Sequence, residues 1–234
     1  MCKNGLINVV FVIDESGSMS GTENDVIGGF KSVVDEQKEN KNGSCTVSYY
    51  KFASGVEEVY KGEDVNNVEY LDGKYRPNGL TALFDGIGTA IDNIGKWLDG
   101  MKEEDKPEKT IVVIMTDGGE NNSKDYSAGK VKEMIKHQED KYNWTFVYMG
   151  SDLTDASDAN SLGITTRCFA SSSNYMSNYS IVNEAISCYR DDIDCDIKTK
   201  SLNLKARLKK SCDDATEKYA SENNIDVNKL KSNE

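Results

Sequence analysis

The chain has 234 residues but only one histidine and two prolines, and none of its six cysteines forms a CxxC pair. Each shortage removes a class of function. The lone His137, in "KEMIKHQEDK" on the polar side of a helical pattern, reads as a solvated surface residue. One histidine and no CxxC leave little for a zinc site. With no GxSxG nucleophile elbow either, a Ser-His-Asp hydrolase is disfavoured. No apolar run approaches the roughly 20 residues that cross a bilayer. The start, "MCKNGLINVVFVIDESGS", has a short apolar run that ends in acids without a small-residue cleavage site, so a signal peptide is not expected. Positive charge is also short: 28 Lys and Arg stand against 40 Asp and Glu, a net charge of -12. That balance disfavours nucleic acid and acidic membrane surfaces as partners. It suits cations, although most acidic proteins are simply soluble. The scattered Cys2, Cys45, Cys168, Cys188, Cys195 and Cys212 are expected to be reduced thiols in cytoplasm.

Two kinds of segment alternate along the chain. "LINVVFVID", "CTVSYYKFA", "TIVVIMTD" and "WTFVYMG" are apolar and rich in β-branched residues, as buried strands are. Between them, Val26, Ile27, Phe30, Val33 and Val34 recur at helical spacing, and Leu83, Ile87, Ala90, Ile91, Ile94, Trp97 and Leu98 do so more strongly. Val131, Met134 and Ile135 predict a third helix, opened by a capping signal near Asn122 and Ser123. This alternation predicts an α/β fold with a mostly parallel sheet covered by helices on both faces. "VEEVYKG" follows its neighbour closely enough to form a hairpin and one antiparallel edge strand. Both prolines, Pro77 and Pro107, fall in expected loops, and Tyr49, Tyr50, Trp144 and Tyr148 read as core or sheet-face residues. Tyr175, Tyr179 and Tyr189 lie in a late helix, where packing is the favoured role. The expected domain runs over residues 1–190. Residues 191–234, charged and poor in β-branched runs, read as a helical extension or tail.

Ligands of open parallel sheets bind beyond the carboxyl ends of the strands. Three polar clusters fall there: Asp14, Ser16 and Ser18 after the first strand, Thr81 in "RPNGLTALFDG", and Asp117 at the end of "TIVVIMTD". Oxygen-only donors suit Mg²⁺, with Mn²⁺ or Ca²⁺ as substitutes. Alternate residues leaving a strand would aim Ser16 and Ser18 the same way.

Over about residues 5 to 190 the sequence resembles the von Willebrand factor A domain family, bacterial or phage type. "DESGSM", "GLTALFDGI", "MTDGGENNS" and "GSDLTDASDANSLGI" carry the likeness. The resemblance implies a Rossmann-like domain whose metal-ion-dependent adhesion site (MIDAS) has all five positions filled, by Asp14, Ser16, Ser18, Thr81 and Asp117. It implies direct ligation by the hydroxyls, aspartates acting largely through water, and a partner protein that offers an Asp or Glu to the metal. The expected function is metal-dependent protein binding without catalysis, in cytoplasm of a bacterial or phage-infected cell, with the virion as another location. Two other readings stay open. A haloacid dehalogenase-like phosphatase would need a second acid where Ser16 stands and an acid at Asn122. Alternatively, the same fold could hold a purely structural metal.

Overall fold

The computed structural model describes residues 3–151, 153–170 and 175–228. Strands β1 (Lys3–Asp14), β2 (Ser44–Phe52), β3 (Val56–Asp64), β4 (Pro107–Met115), β5 (Thr145–Gly150) and β6 (Arg167–Phe169) form one six-stranded sheet in the order β3-β2-β1-β4-β5-β6. Every pairing is parallel except β2 with β3, so β3 is the antiparallel edge that the hairpin spacing predicted. Helices α1 (Glu23–Glu39), α2 (Leu83–Asp99), α3 (Ala128–Tyr142), α4 (Leu153–Ser161), α5 (Tyr175–Asp191) and α6 (Ile197–Glu222) complete the fold.

Side-chain alternation along the strands divides the core in two. Ile7, Val9, Phe11 and Ile13 of β1 face α1, α5 and α6, where Phe30, Tyr179, Tyr189 and Leu208 are buried. Val10 and Val12 face α2 and α3, against Ile87, Ile91, Val131 and Ile135. Tyr49, Tyr50, Trp144 and Tyr148 are buried as expected, and Tyr179 and Tyr189 pack in the core. The side chain of Tyr175 lies outside the described residues. His137 is exposed on α3, edge-on to Tyr142 with ring centroids 5.6 Å apart.

Three sequence expectations need correction. Pro107 opens β4 instead of lying in a loop. The first residue of a strand tolerates proline because its missing N–H is not needed by the ladder. Helix α3 begins four residues later than the Asn122-Ser123 signal suggested, with Ser127 accepting from Lys130 N. Ser123 is engaged elsewhere: its hydroxyl donates to Glu120 and its oxygen accepts from Asp85 N. Ser127→Ala should therefore lower stability by about 1 kcal/mol, read as a lower urea midpoint, whereas Ser123→Ala should disturb the loop and leave α3 intact.

The third correction concerns the thiols. Cys168 on β6 and Cys212 on α6 form a disulfide, while Cys45, Cys188 and Cys195 are free. The charged extension is thereby bound to the sheet. α6 starts at the amino end of the strands, where Lys200 pairs with Glu108 at 2.7 Å in a buried ion pair. It ends near the carboxyl end of β5, where Tyr219 donates to Ser151 O at 2.7 Å. Between these points Thr216 Oγ1 accepts from Phe169 N at 3.3 Å and donates to Arg167 O at 3.5 Å. A helix side chain thus satisfies backbone groups on the short edge strand, protecting an edge that would otherwise invite pairing.

Candidate metal centre

The strand order reverses direction between β1 and β4: from β1 the chain moves to β2 on one side, and β4 lies on the other. A crevice opens at the carboxyl ends of such a pair, and the expected residues gather there. β1 ends at Asp14, which is fully buried. Its Oδ1 accepts from Ser16 N and its Oδ2 from the Thr116 hydroxyl, both at 2.6 Å. The Tyr75 hydroxyl donates to Asp14 O at 2.6 Å. Burial pushes the Asp14 carboxyl up from 3.8 to about 6; the hydrogen bonds oppose this and the nearby Asp117 charge adds to it.

Ser16 and Ser18 meet by a different route from the one the sequence suggested. The strand has already ended, and a 3₁₀ turn over Gly17–Met19 folds the chain back. Their hydroxyl oxygens come to 3.0 Å. Thr81 is buried, at the mouth of α2. Asn121 holds its backbone from both sides, through Oδ1 accepting from Thr81 N at 2.9 Å and N donating to Thr81 O at 3.0 Å. Asp117 follows β4 and is half-buried. Next to it, Gly118 leaves both hydroxyls room: a Cβ there would stand 2.8 Å from Ser18 Oγ and 3.4 Å from Thr81 Oγ1. The hydroxyls of Ser18 and Thr81 therefore converge over one bare Cα, with the Ser16 hydroxyl beside that of Ser18 and the buried Asp14 bonded to Ser16 N.

Several residues that shape this cradle carried no legible sequence signal. Asp85, on the first turn of α2, accepts from Lys124 N, Asp125 N and Tyr126 N at 2.8 to 3.0 Å. Glu120 accepts from Asn122 N, Ser123 N and Phe84 N. These carboxylates tie the loop after β4 to the start of α2, and so hold Thr81 against Gly118. On the other flank Gly17 N donates to Gly79 O at 3.0 Å, and Asn78 N to Glu15 O at 2.7 Å. Thr116 had a faint signal, as a polar residue closing an apolar run.

The donors present are three hydroxyls and two carboxylates. Among the described residues no group of three or more histidine, cysteine or acidic side chains is placed to hold a metal ion. A cation here would rest on hydroxyls as much as on acids. That fits a hard oxygen-preferring ion and does not fit a soft one.

An α/β domain with hydroxyls and acids at the switch point of its sheet defines a class of binding domain. The von Willebrand factor type A domain profile matches residues 8–184, and the chain belongs to that family. No curated protein matches the sequence. Among solved structures, proximal thread matrix protein 1 of the mussel byssus, with a zinc-occupied MIDAS motif, aligns with a TM-score of 0.54 at 16% identity. The alignment covers 80% of this chain and 48% of that one. The PilB minor pilin of Streptococcus sanguinis gives 0.55 at 14%, over 81% and 62%. The vWF domain of the type V pili tip protein Mfa5 of Porphyromonas gingivalis gives 0.57 at 13%, over 77% and 94%. At these identities the likeness is one of fold, and the chain spans about half the length of the mussel protein.

Proposed function

We propose that this domain is a non-enzymatic, metal-dependent protein-binding module. Ser16, Ser18 and Thr81 would ligate one divalent cation directly, Mg²⁺ by preference, with Mn²⁺ or Ca²⁺ able to replace it. Asp14 and Asp117 would balance its charge from behind. The carrying observation is the convergence of Ser18 and Thr81 over Gly118, with the Ser16 hydroxyl 3.0 Å from that of Ser18. Asp14 already spends both carboxylate oxygens on Ser16 N and Thr116, which suits a role one shell out from the ion. A cation held largely by neutral hydroxyls keeps charge to offer, and a partner's Asp or Glu would supply the missing oxygen. The non-enzymatic reading is supported by Ser16 and Asn122, which occupy the positions a haloacid dehalogenase-like phosphatase would need acidic.

The neighbours support the reading by analogy: one carries zinc in its MIDAS motif, and two are pilus proteins. A bacterial or phage source remains our proposal. Of the locations suggested by the sequence, the Cys168–Cys212 disulfide favours a virion over reducing cytoplasm.

Calorimetric titration with Mg²⁺ and Mn²⁺ tests the reading. One site is expected, weakened at least about tenfold by Thr81→Ala while the fold persists. Ser16→Ala combined with Ser18→Ala should abolish it. Unchanged affinity in both variants would remove the assignment. A partner captured from lysate should be released by EDTA.

A further inference from the structure

We propose a second, separate ligand site at the opposite end of the sheet, shaped for a small organic anion with an aromatic or aliphatic body. A cavity of about 550 Å³ opens there between α2, α3 and the first residues of β4. Its distance from the metal centre follows from β4 itself: Lys109 on its wall and Thr116 at the other end are seven positions apart, about 23 Å of extended strand. The volume falls in the range of small-molecule sites.

The lining sets the ligand class. Ile91, Leu98, Trp144 and Ile197 give an apolar wall. The acids around it are mostly engaged. Glu103 pairs with Lys106 at 2.9 Å, and Glu108 with Lys200 at 2.7 Å. Asp92 accepts from the Tyr126 hydroxyl at 2.8 Å, leaving Asp99 exposed at the rim. The bases are not matched in the same way. Lys96, Lys109 and Lys141 all line the cavity, and among the described residues none makes an ion pair. The locally available charge is therefore positive, on a protein whose net charge is -12.

Lys109 is the most telling of the three. It is 1% exposed, and its ammonium donates only to Asn143 O and Asn143 Oδ1. An ammonium has three donors, so one is left after Asn143. Burial, with Lys205 nearby, pulls this amine down to about 7. Glu139 is near enough to oppose that pull but makes no ion pair with Lys109. A buried cation without an acid in contact is costly, and a ligand carboxylate or sulfonate would relieve that cost while its body covers Ile91 and Trp144.

Gly95 makes the proposal testable without disturbing the fold. It lines the cavity from α2, and a Cβ added there meets nothing within 4 Å. Gly95→Trp should fill the space and leave helix α2 intact. The probe is 8-anilinonaphthalene-1-sulfonate, titrated by calorimetry at pH 6.5 beside its uncharged analogue N-phenyl-1-naphthylamine. One site is expected for the sulfonate, at least tenfold tighter than for the neutral compound. It should be lost in Gly95→Trp, weakened about tenfold in Lys141→Glu, and unchanged in Thr81→Ala. Retention of sulfonate binding in a folded Gly95→Trp protein would overturn the site. Equal affinity for the two probes, or no effect of Lys141→Glu, would overturn the anion assignment. Should Gly95→Trp fail to fold, chemical-shift changes of the Trp144 indole on titrating the unmodified protein decide the location: a shift supports the cavity, and none overturns it.

Discussion

Asp14→Asn should make the metal-free protein more stable at neutral pH while abolishing the proposed Mg²⁺ binding. The carboxyl is fully buried, and burial raises it from 3.8 to about 6 against the pull of its hydrogen bonds. The folded chain therefore holds this proton up to about pH 6, whereas the unfolded chain releases it near 3.8. Between those values the native state binds more protons, so the contribution of Asp14 to stability falls as pH rises, and above 6 its full cost remains. A rise of this size corresponds to about 3 kcal/mol at most, and about 1 to 3 kcal/mol is the gain expected at pH 7. Asparagine suits the surroundings: its oxygen can keep Ser16 N, and its amide can donate to Thr116 Oγ1. The Thr116 hydroxyl can then turn to Gly118 O, which lies 3.0 Å away. Urea denaturation at pH 4, 5.5 and 7, with and without Mg²⁺, provides the check. The variant should lose both the downward slope between pH 4 and 6 and the stabilisation by metal. In the parent, Mg²⁺ affinity should weaken as pH falls below about 6, because the proton and the cation compete for the same charge. An Asp14→Asn protein that is less stable and still binds Mg²⁺ would make Asp14 a scaffold residue.

An acid whose burial works against the apo fold is a feature of a binding site, and this helps explain what the sequence revealed. The five candidate residues stand out because they interrupt strong patterns. Asp14 and Asp117 end long apolar strands, and Thr81 immediately precedes the most amphipathic helical stretch. Apolar runs likewise located β1, β2, β4 and β5, because burial on both faces demands continuous apolar sequence, and helical spacing located α1 and α2. The three-residue β6 is too short to show such a run. The supports of the site were not legible, because their partners are distant in sequence. Asp85 binds amides of residues 124 to 126, and Asn121 brackets Thr81 across 40 positions. Nothing local distinguishes either from an ordinary polar surface residue. The misplaced start of α3 has the same origin: Ser123 has the chemistry of a cap, but Glu120 and Asp85 had already claimed it.

The cysteines show the limit most sharply, and they carry the other large expected effect. Composition placed all six as reduced thiols, because pairing depends on the approach of β6 to α6, which no local spacing encodes. Replacing Cys168 and Cys212 together by alanine should lower the unfolding free energy by about 2 to 4 kcal/mol. The crosslink joins positions 44 apart in sequence, and in the chain-entropy account a loop of that length restricts the unfolded state by about 4 kcal/mol. The loss should be felt first at the sheet edge. Without the crosslink, α6 is held by the Lys200–Glu108 pair at one end, Tyr219 at the other, and a buried row including Leu204 and Leu208. Thr216 would then be freer to leave the backbone of β6, exposing it to pairing with another chain. Hydrogen exchange should accordingly speed up at Phe169 and through the second half of α6 before it changes in β1 or β4, and Mg²⁺ affinity should remain that of the parent. Peptide mapping under non-reducing conditions should show the Cys168–Cys212 link, with Cys45, Cys188 and Cys195 alkylated only as free thiols. If the linked peptide is absent and the double variant is as stable as the parent, the two sulfurs are merely packed neighbours and α6 owes its position to the buried row and the ion pair alone.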